Sequence, residues 1–195
     1  LRNGQFAISD GDLPSEDIKF YNISNSIEQK EKALELYRKA GATTPEDIML
    51  LSPVNGGPSG RRTLNSLVQD IVNPGKEDSL SFGSADDNPI YYKDGDYITI
   101  TRNEYNMEND YGEIAEIING DLGYIIESNK RYIRLEIEKN TYTIPKSEVR
   151  DLVDHAWAIT IHKSQGGQAD EVIIVLPYNS YFMLNANMLY TAITR

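Results

Sequence analysis

Eight consecutive residues combine several groups that can bind an anion. The segment 160–167, Thr-Ile-His-Lys-Ser-Gln-Gly-Gly, follows a predicted buried strand. Hydroxyl groups donate to phosphate oxygens, Lys163 or a protonated His162 adds positive charge, and glycines let backbone N–H groups approach an anion closely. A solvated loop with a histidine that caps the strand would explain any one of these groups. Because six of them follow one strand, we predict an anion or nucleotide site.

A second candidate lies at the start of a predicted helix. The loop 55–60, Asn-Gly-Gly-Pro-Ser-Gly, leads directly into Arg61 and Arg62. Helix N-terminal N–H groups attract anions, and an arginine there can fork onto a phosphate. A tight strand-to-helix turn with exposed arginines explains the same residues equally well. Arg195, after a predicted amphipathic helix, could be an arginine finger, but the residues alone favour a cation that stabilises a helix C-terminus.

Composition excludes several kinds of site. The chain has 195 residues, no cysteine, two histidines and a net charge of −11. These numbers exclude a disulfide scaffold, a thiol nucleophile and a cysteine zinc site, and the charge argues against a broad basic surface for nucleic acid. The sequence lacks a G-x-x-x-x-G-K-[ST] phosphate loop, and no acidic pair that could hold Mg²⁺ follows directly after a predicted buried strand. No apolar stretch could cross a bilayer, so we expect a cytoplasmic location and no membrane partner.

The elements that position these residues follow α/β order. Helices are predicted over 26–40, with a capping box of Ser26 and Gln29 and a stop at Gly41, and over 61–72. Further predictions are a possible strand over 18–23, strands over 48–51, 155–161 and 172–176, and a helix over 181–193. Residues 90–148 contain five short β-prone runs separated by turns, which is typical of a small SH3-like barrel.

We therefore expect a parallel-sheet α/β domain that is divided by a β-barrel insert. Its first segment would be residues 1–75, the insert 76–150, and the second segment 151–195.

Several segments together resemble one family. Residues 160–166 resemble motif V of superfamily 1 DNA helicases, and residues 189–195 resemble motif VI. Residues 51–53, 57–60 and 64–74 are similar to the motif IV region of RecD-like helicases, which include the alpha chain of exodeoxyribonuclease V and stand-alone relatives. Residues 119–123 resemble the turn that opens the SH3-like insert of that group.

The resemblance implies a fold and roles for individual residues. The fold would be the second RecA-like motor domain with an inserted SH3-like β-barrel. The DNA-binding residues would be Thr160, His162, Lys163, Ser164 and Asn65. The residues at ATP would be Gln168, which replaces the usual acidic residue, together with Gly166, Arg61 and Arg62, while Arg195 would be catalytic. ATP with Mg²⁺ would be held mostly by an upstream RecA-like motor domain.

The function implied is that of an ATP-dependent 5′-to-3′ DNA helicase of the RecD type. The partners would be single-stranded DNA, the upstream motor domain and other exodeoxyribonuclease V subunits. The chain would be a C-terminal fragment that hydrolyses no ATP by itself. Two alternatives are the helicase half of a conjugative relaxase and a non-catalytic nucleic-acid-binding module built on an SH3-like barrel.

Overall fold

A computed structural model describes residues 18–41, 47–75, 79–83, 89–164, 168–177, 180 and 186–193. The helices in these ranges are α1 (Ser26–Ala40), α2 (Arg61–Val72), α3 (Lys146–Leu152) and α4 (Ala186–Ile193). The strands are β1 (Ile48–Leu51), β2 (Leu80–Phe82), β3 (Ile90–Tyr92), β4 (Tyr97–Ile100), β5 (Glu104–Glu108), β6 (Ile114–Ile117), β7 (Leu122–Ser128), β8 (Tyr132–Ile137), β9 (Asn140–Pro145), β10 (Val153–His155), β11 (Ala158–Ile159) and β12 (Glu171–Ile174).

A three-stranded parallel sheet carries the candidate anion-binding segments. β1 lies in the middle and pairs in parallel with β11 on one side and β12 on the other. Alternate side chains of β1 face different cores, as the pleat of a strand requires. Ile48 and Leu50 pack in the cluster that includes α1 and α2, whereas Leu51 packs in the cluster that includes Ala192 of α4. The predicted α/β order is confirmed.

The first helix spans the predicted residues, but its N-cap is Asn25, one residue before the predicted cap Ser26. The side chain of Asn25 accepts hydrogen bonds from the N–H groups of Ile27 and Glu28. The predicted capping box is wrong, because Gln29 instead donates to the carbonyls of Ile23 and Leu176. Asparagine caps a helix as well as serine does, so Asn25 takes the position first. The predicted stop at Gly41 is confirmed, since this residue has a φ of 68°.

A second sheet of five antiparallel strands has the order β10-β4-β7-β8-β9. It buries an apolar core with α3, and two hairpins, β2–β3 and β5–β6, lie beside it. The described strands form an open sheet with β9 and β10 at its edges, so the predicted closed barrel is not confirmed. One edge strand, β10, also comes from beyond residue 150 and crosses the boundary that we predicted for the insert.

The strand predicted over 155–161 is divided between the two sheets. β10 pairs with β4 in the antiparallel sheet, and after Ala156 and Trp157 the chain joins the parallel sheet as β11. The Ala156 N–H donates to the Tyr97 carbonyl at 3.0 Å, which keeps the chain on β4 until it turns. An apolar run cannot reveal which sheet it joins. The possible strand over 18–23 is not formed, and within the described ranges no helix is suited by length and apolarity to span a bilayer.

Candidate nucleic-acid interface

The turn after β11 presents two of the predicted side chains and buries a third. The hydroxyl oxygen of Thr160 accepts from the Lys163 N–H, and the Thr160 carbonyl accepts from the Ser164 N–H at 3.1 Å. Ser164 is buried and its hydroxyl donates to the Ile161 carbonyl at 2.8 Å. His162 and Lys163 are exposed. Thr160 and Ser164 therefore shape the turn that exposes His162 and Lys163 to solvent.

An open cleft of about 420 Å³ separates this turn from the tip of the β6–β7 connection. Its lining consists of His162 and Lys163 on one side and Asn119 and Gly120 on the other. The tip is held firmly, because the Gly120 N–H donates to the Ile100 carbonyl at 2.9 Å. Gly120 has a φ of 105°, a region that favours glycine. The cleft thus joins the motif V-like turn to the turn at 119–123, which the sequence indicated separately.

The Lys163 ammonium interacts electrostatically with groups of both signs. The pKa of Lys163 is lowered, first because this largely exposed side chain is still partly desolvated by neighbouring groups, and then because the positive Arg61 acts on it. Asp154 opposes these effects. Lys163 thus contributes a positive charge to the cleft wall, and an anionic ligand would favour its charged form.

The two arginines after the glycine loop have different surroundings. The Arg61 guanidinium is buried and donates to the Asn55 side chain at 2.9 Å and to the Asp154 carboxylate at 2.7 Å. Arg62 is exposed, and within the described part of the chain its side chain has no ion-pair partner. Of the two, Arg62 has the guanidinium available for a phosphate, while Arg61 holds the loop against β10.

The glycine loop itself allows no side chain at its last residue. A Cβ atom on Gly60 would lie 2.2 Å from the Gly56 carbonyl oxygen, so the loop backbone would have to move. Gly57, with a φ of 87°, completes the turn.

Gly60→Ala is expected to lower the free energy of unfolding by about 1–3 kcal/mol, because overpacked backbone contacts must shift. Gly56→Ala is the matched control, since its Cβ would meet nothing within 4 Å. Urea unfolding of both variants measures the difference. Equal stability of the two variants would contradict this account of the loop.

Asn65 is buried between the two sheets. Its side-chain amide donates to the carbonyls of Ala158 at 2.8 Å and His155 at 3.2 Å, and its oxygen accepts from the Ala158 N–H at 2.7 Å. These bonds hold the chain where it passes from β10 to β11. Asn65 thus has its amide occupied by backbone groups, and in this arrangement it offers no group to DNA.

A buried polar cluster around Asp96 was not predicted from the sequence. The Asp96 carboxylate is fully buried and accepts from the Lys93 N–H at 2.7 Å, Gln69 at 2.6 Å and Asn73 at 2.8 Å. His155 Nε2 lies 3.2 Å from the same carboxylate. Both amide hydrogens of Gln69 are used, on Asp96 and on the Tyr91 carbonyl, so His155 Nε2 donates to Asp96. We call Asp96, Gln69, Asn73, Lys93 and His155 the Asp96 cluster.

Aromatic packing completes this cluster. The Tyr92 ring stacks on the His155 imidazole, with 4.7 Å between the centroids. Burial raises the pKa of Tyr92, and its hydroxyl donates to the Val153 carbonyl at 3.0 Å. The cluster joins α2, the β3–β4 turn and β10, and therefore connects the parallel sheet to the antiparallel one.

The remaining predicted site residues lie elsewhere. Gln168 is exposed. Gly166 and Arg195 lie outside the described residues. Within the described ranges, no three histidine or carboxylate groups converge as a metal site.

The two sheets define a class: a parallel α/β domain whose strands lead into polar and glycine-rich turns, joined to an antiparallel sheet. Residues 155–195 match the family model of the UvrD-like helicase C-terminal domain. The predicted resemblance to RecD-like helicases is confirmed by two curated relatives. The chain is 30% identical over 151 residues to the ATP-dependent RecD2 DNA helicase of Deinococcus radiodurans, with 77% of this chain and 19% of that protein covered.

The second relative is the RecBCD enzyme subunit RecD of Mycobacterium tuberculosis. It is 27% identical over 199 residues, with 100% of this chain and 32% of that protein covered. The chain thus spans about a fifth to a third of the length of these relatives. Among solved structures, Bacteroides Pif1 bound to ssDNA has a TM-score of 0.49 and 17% identity, with 85% of this chain and 42% of that chain covered.

Proposed function

We propose that the chain is the C-terminal motor-domain part of an ATP-dependent DNA helicase of the RecD type, which moves 5′ to 3′ along single-stranded DNA. The observation that carries the proposal is the cleft between the 160–164 turn and the 119–120 tip. It has an imidazole, an ammonium and a backbone turn at the ends of parallel strands, where α/β proteins bind ligands. The similarity to RecD2 and RecD over most of the chain supports the same assignment.

His162 and Lys163 are the proposed DNA contacts. Both are exposed at the cleft, and both can donate to phosphate oxygens. Thr160 and Ser164 act through the turn that they stabilise, and Asn65 acts by holding β11. The proposed DNA contacts are therefore two of the five DNA-binding residues that the sequence predicted. This assignment also explains how a chain of net charge −11 binds DNA through a few placed groups.

The nucleotide would lie beside the same sheet edge, facing the first motor domain, which would precede this chain. Arg62, Gln168, Gly166 and Arg195 are the proposed residues at ATP, and Mg²⁺ would be held mainly by the preceding domain. Arg61 is a positioning residue here, because its guanidinium is already bound to Asp154. The antiparallel region, as an SH3-like insert over residues 76–150, would support the DNA. In a nuclease complex, the partners would be other exodeoxyribonuclease V subunits.

His162→Ala/Lys163→Ala in the complete protein is expected to weaken single-strand binding about tenfold at low salt, because two phosphate contacts are lost. Fluorescence anisotropy of a labelled oligo(dT) measures this affinity. Arg38→Ala/Lys39→Ala removes two exposed cations of α1 and is the matched control. If the cleft variant and the control variant both bind oligo(dT) with the affinity of the wild type, the cleft has no role in DNA binding.

A phosphate-release assay tests the proposal that ATP hydrolysis requires the preceding motor domain. The isolated chain should release no phosphate from ATP, with or without DNA, since it lacks a G-x-x-x-x-G-K-[ST] loop. Strong DNA-stimulated hydrolysis by the purified 195-residue chain would contradict it.

A further inference from the structure

Four exposed cations lie together near the end of β7 that is farther from the cleft. Lys130 and Arg131 belong to the β7–β8 turn, and Lys146 and Arg150 lie on α3. The Arg131 carbonyl accepts from the Lys146 N–H at 2.8 Å, which fixes the turn against the start of α3. We call these four residues the basic cluster.

An aromatic ring holds two members of the basic cluster. The Lys146 ammonium lies 5.4 Å from the centroid of the Phe82 ring, and the Arg150 guanidinium carbon lies 5.7 Å from it. Both distances are within the range of cation–π attraction. Phe82 is half-buried and meets Tyr92 edge to face at 6.0 Å. The two charges are therefore held on a fixed ring, so less side-chain entropy is lost when they bind a ligand.

None of the four cations pairs with a carboxylate of the described residues. This distinguishes them from Arg61, Arg102 and Arg134, each of which forms an ion pair. On α3, Lys146 and Arg150 are four residues apart and share a face, whereas Glu148 is placed on another. In a chain with a net charge of −11, such a concentration of unpaired cations is a surface suited to an anion.

The position of the basic cluster relates it to the cleft. β7 has seven residues, begins beside the 119–121 tip and ends at the turn that carries Lys130 and Arg131. A strand of that length spans about 20 Å. A polyanion of a few nucleotides or more could therefore reach both the cleft and the basic cluster.

We propose that the basic cluster binds the phosphate backbone of nucleic acid, as a second contact for DNA that also occupies the cleft. The inference rests on the proposed function, because the cleft supplies the first contact. An arginine can fork onto a phosphate, and lysines neutralise neighbouring phosphates. An acidic protein segment would use the charges alone and would gain nothing from proximity to the cleft.

Lys146→Gln/Arg150→Gln in the complete protein tests the basic cluster. The matched control is Arg38→Gln/Lys39→Gln, which removes the same charge from the exposed end of α1. The probes are a labelled oligo(dT) and the same oligo(dT) attached to a duplex, titrated at about 50–200 mM salt. Circular dichroism and a melting curve check that each variant is folded.

The basic-cluster variant should bind about tenfold more weakly at the lowest salt, and its slope of log K against log salt should be smaller by about 1–2. Loss with both probes assigns the cluster to single-stranded DNA, and loss with the duplex probe alone assigns it to the duplex. Slopes equal to those of the control with both probes would overturn the proposal. The proposal would also be overturned if the DNA slopes were unchanged and binding to an oligo-glutamate peptide were lost, because the cluster would then be assigned to an acidic protein segment.

The cleft variant separates this proposal from the proposed function. If His162→Ala/Lys163→Ala weakens DNA binding and the basic-cluster variant does not, only the second contact is wrong. If the wild-type protein binds neither DNA probe, both proposals fail.

Discussion

Asp96→Ala is expected to lower the free energy of unfolding by about 3–5 kcal/mol, which is the usual cost of removing one partner from a buried charged network. The carboxylate has no exposed surface and accepts hydrogen bonds from Lys93, Gln69, Asn73 and His155. Alanine would leave three buried donors, and the half-buried amide of Asn73, without an acceptor. Each such donor loses its hydration on folding and gains nothing in return. Chemical denaturation of wild type and variant measures the loss.

The same substitution should also disturb the cleft. Asp96 directly precedes β4, and the other end of β4 is Ile100, whose backbone bonds to Gly120 and Asp121. Loosening Asp96 therefore loosens the strand that positions the 119–120 tip. We expect single-strand affinity to fall in the variant even at temperatures where circular dichroism shows it folded.

Asp94→Ala is the matched control for this prediction. Asp94 is an exposed carboxylate in the same β3–β4 turn, and surface substitutions of this kind usually change stability by less than about 0.5 kcal/mol. A loss below about 1 kcal/mol for Asp96→Ala would refute the central role of the Asp96 cluster. Asp96→Asn gives a further check, because it replaces one acceptor oxygen with an NH2 group. That group would face the surrounding donors and could accept no hydrogen bond from them.

Local patterns were sufficient to predict the elements of the parallel domain. α1, β1 and α2 form at the predicted residues, since apolar spacing defines a helix or a strand and Gly41 and Pro74 lie just beyond helix ends. The 160–164 turn was likewise predictable as a polar turn directly after a strand. These features depend on neighbours a few residues away, which a single sequence contains.

The rest depends on contacts between distant parts of the chain. Asn65 and Ala158 are 93 residues apart, and Asp96 and His155 are 59 apart, so no local pattern reveals that these side chains are buried together. Arg61 and Arg62 are adjacent and chemically identical, and only the position of Asp154 separates a structural arginine from an exposed one. The division of 155–161 between two sheets is of the same kind, because β4 and β1 decide it.

Asn65→Ala is the second large effect that we expect, with a loss of about 3–5 kcal/mol in the free energy of unfolding. Its amide satisfies the Ala158 N–H and the carbonyls of Ala158 and His155, all in a buried region. The change would leave these backbone groups unpaired, and each unpaired buried group costs about 1–3 kcal/mol. The neighbouring Ser66 is exposed on the same helix, so Ser66→Ala is the control and should change stability by less than about 0.5 kcal/mol.

Asn65→Asp divides the effect between the two sides of the amide. Aspartate can still accept from the Ala158 N–H, but it has no hydrogen to donate to the two carbonyls. Because Asn65 holds β11 and β11 leads into the 160–164 turn, both variants should weaken single-strand binding without any contact to DNA. If Asn65 instead touched DNA directly, as its motif suggested, Asn65→Ala would weaken DNA binding and leave the unfolding curve unchanged. Denaturant titration and fluorescence anisotropy on the same two variants therefore decide whether Asn65 stabilises the fold or contacts DNA directly.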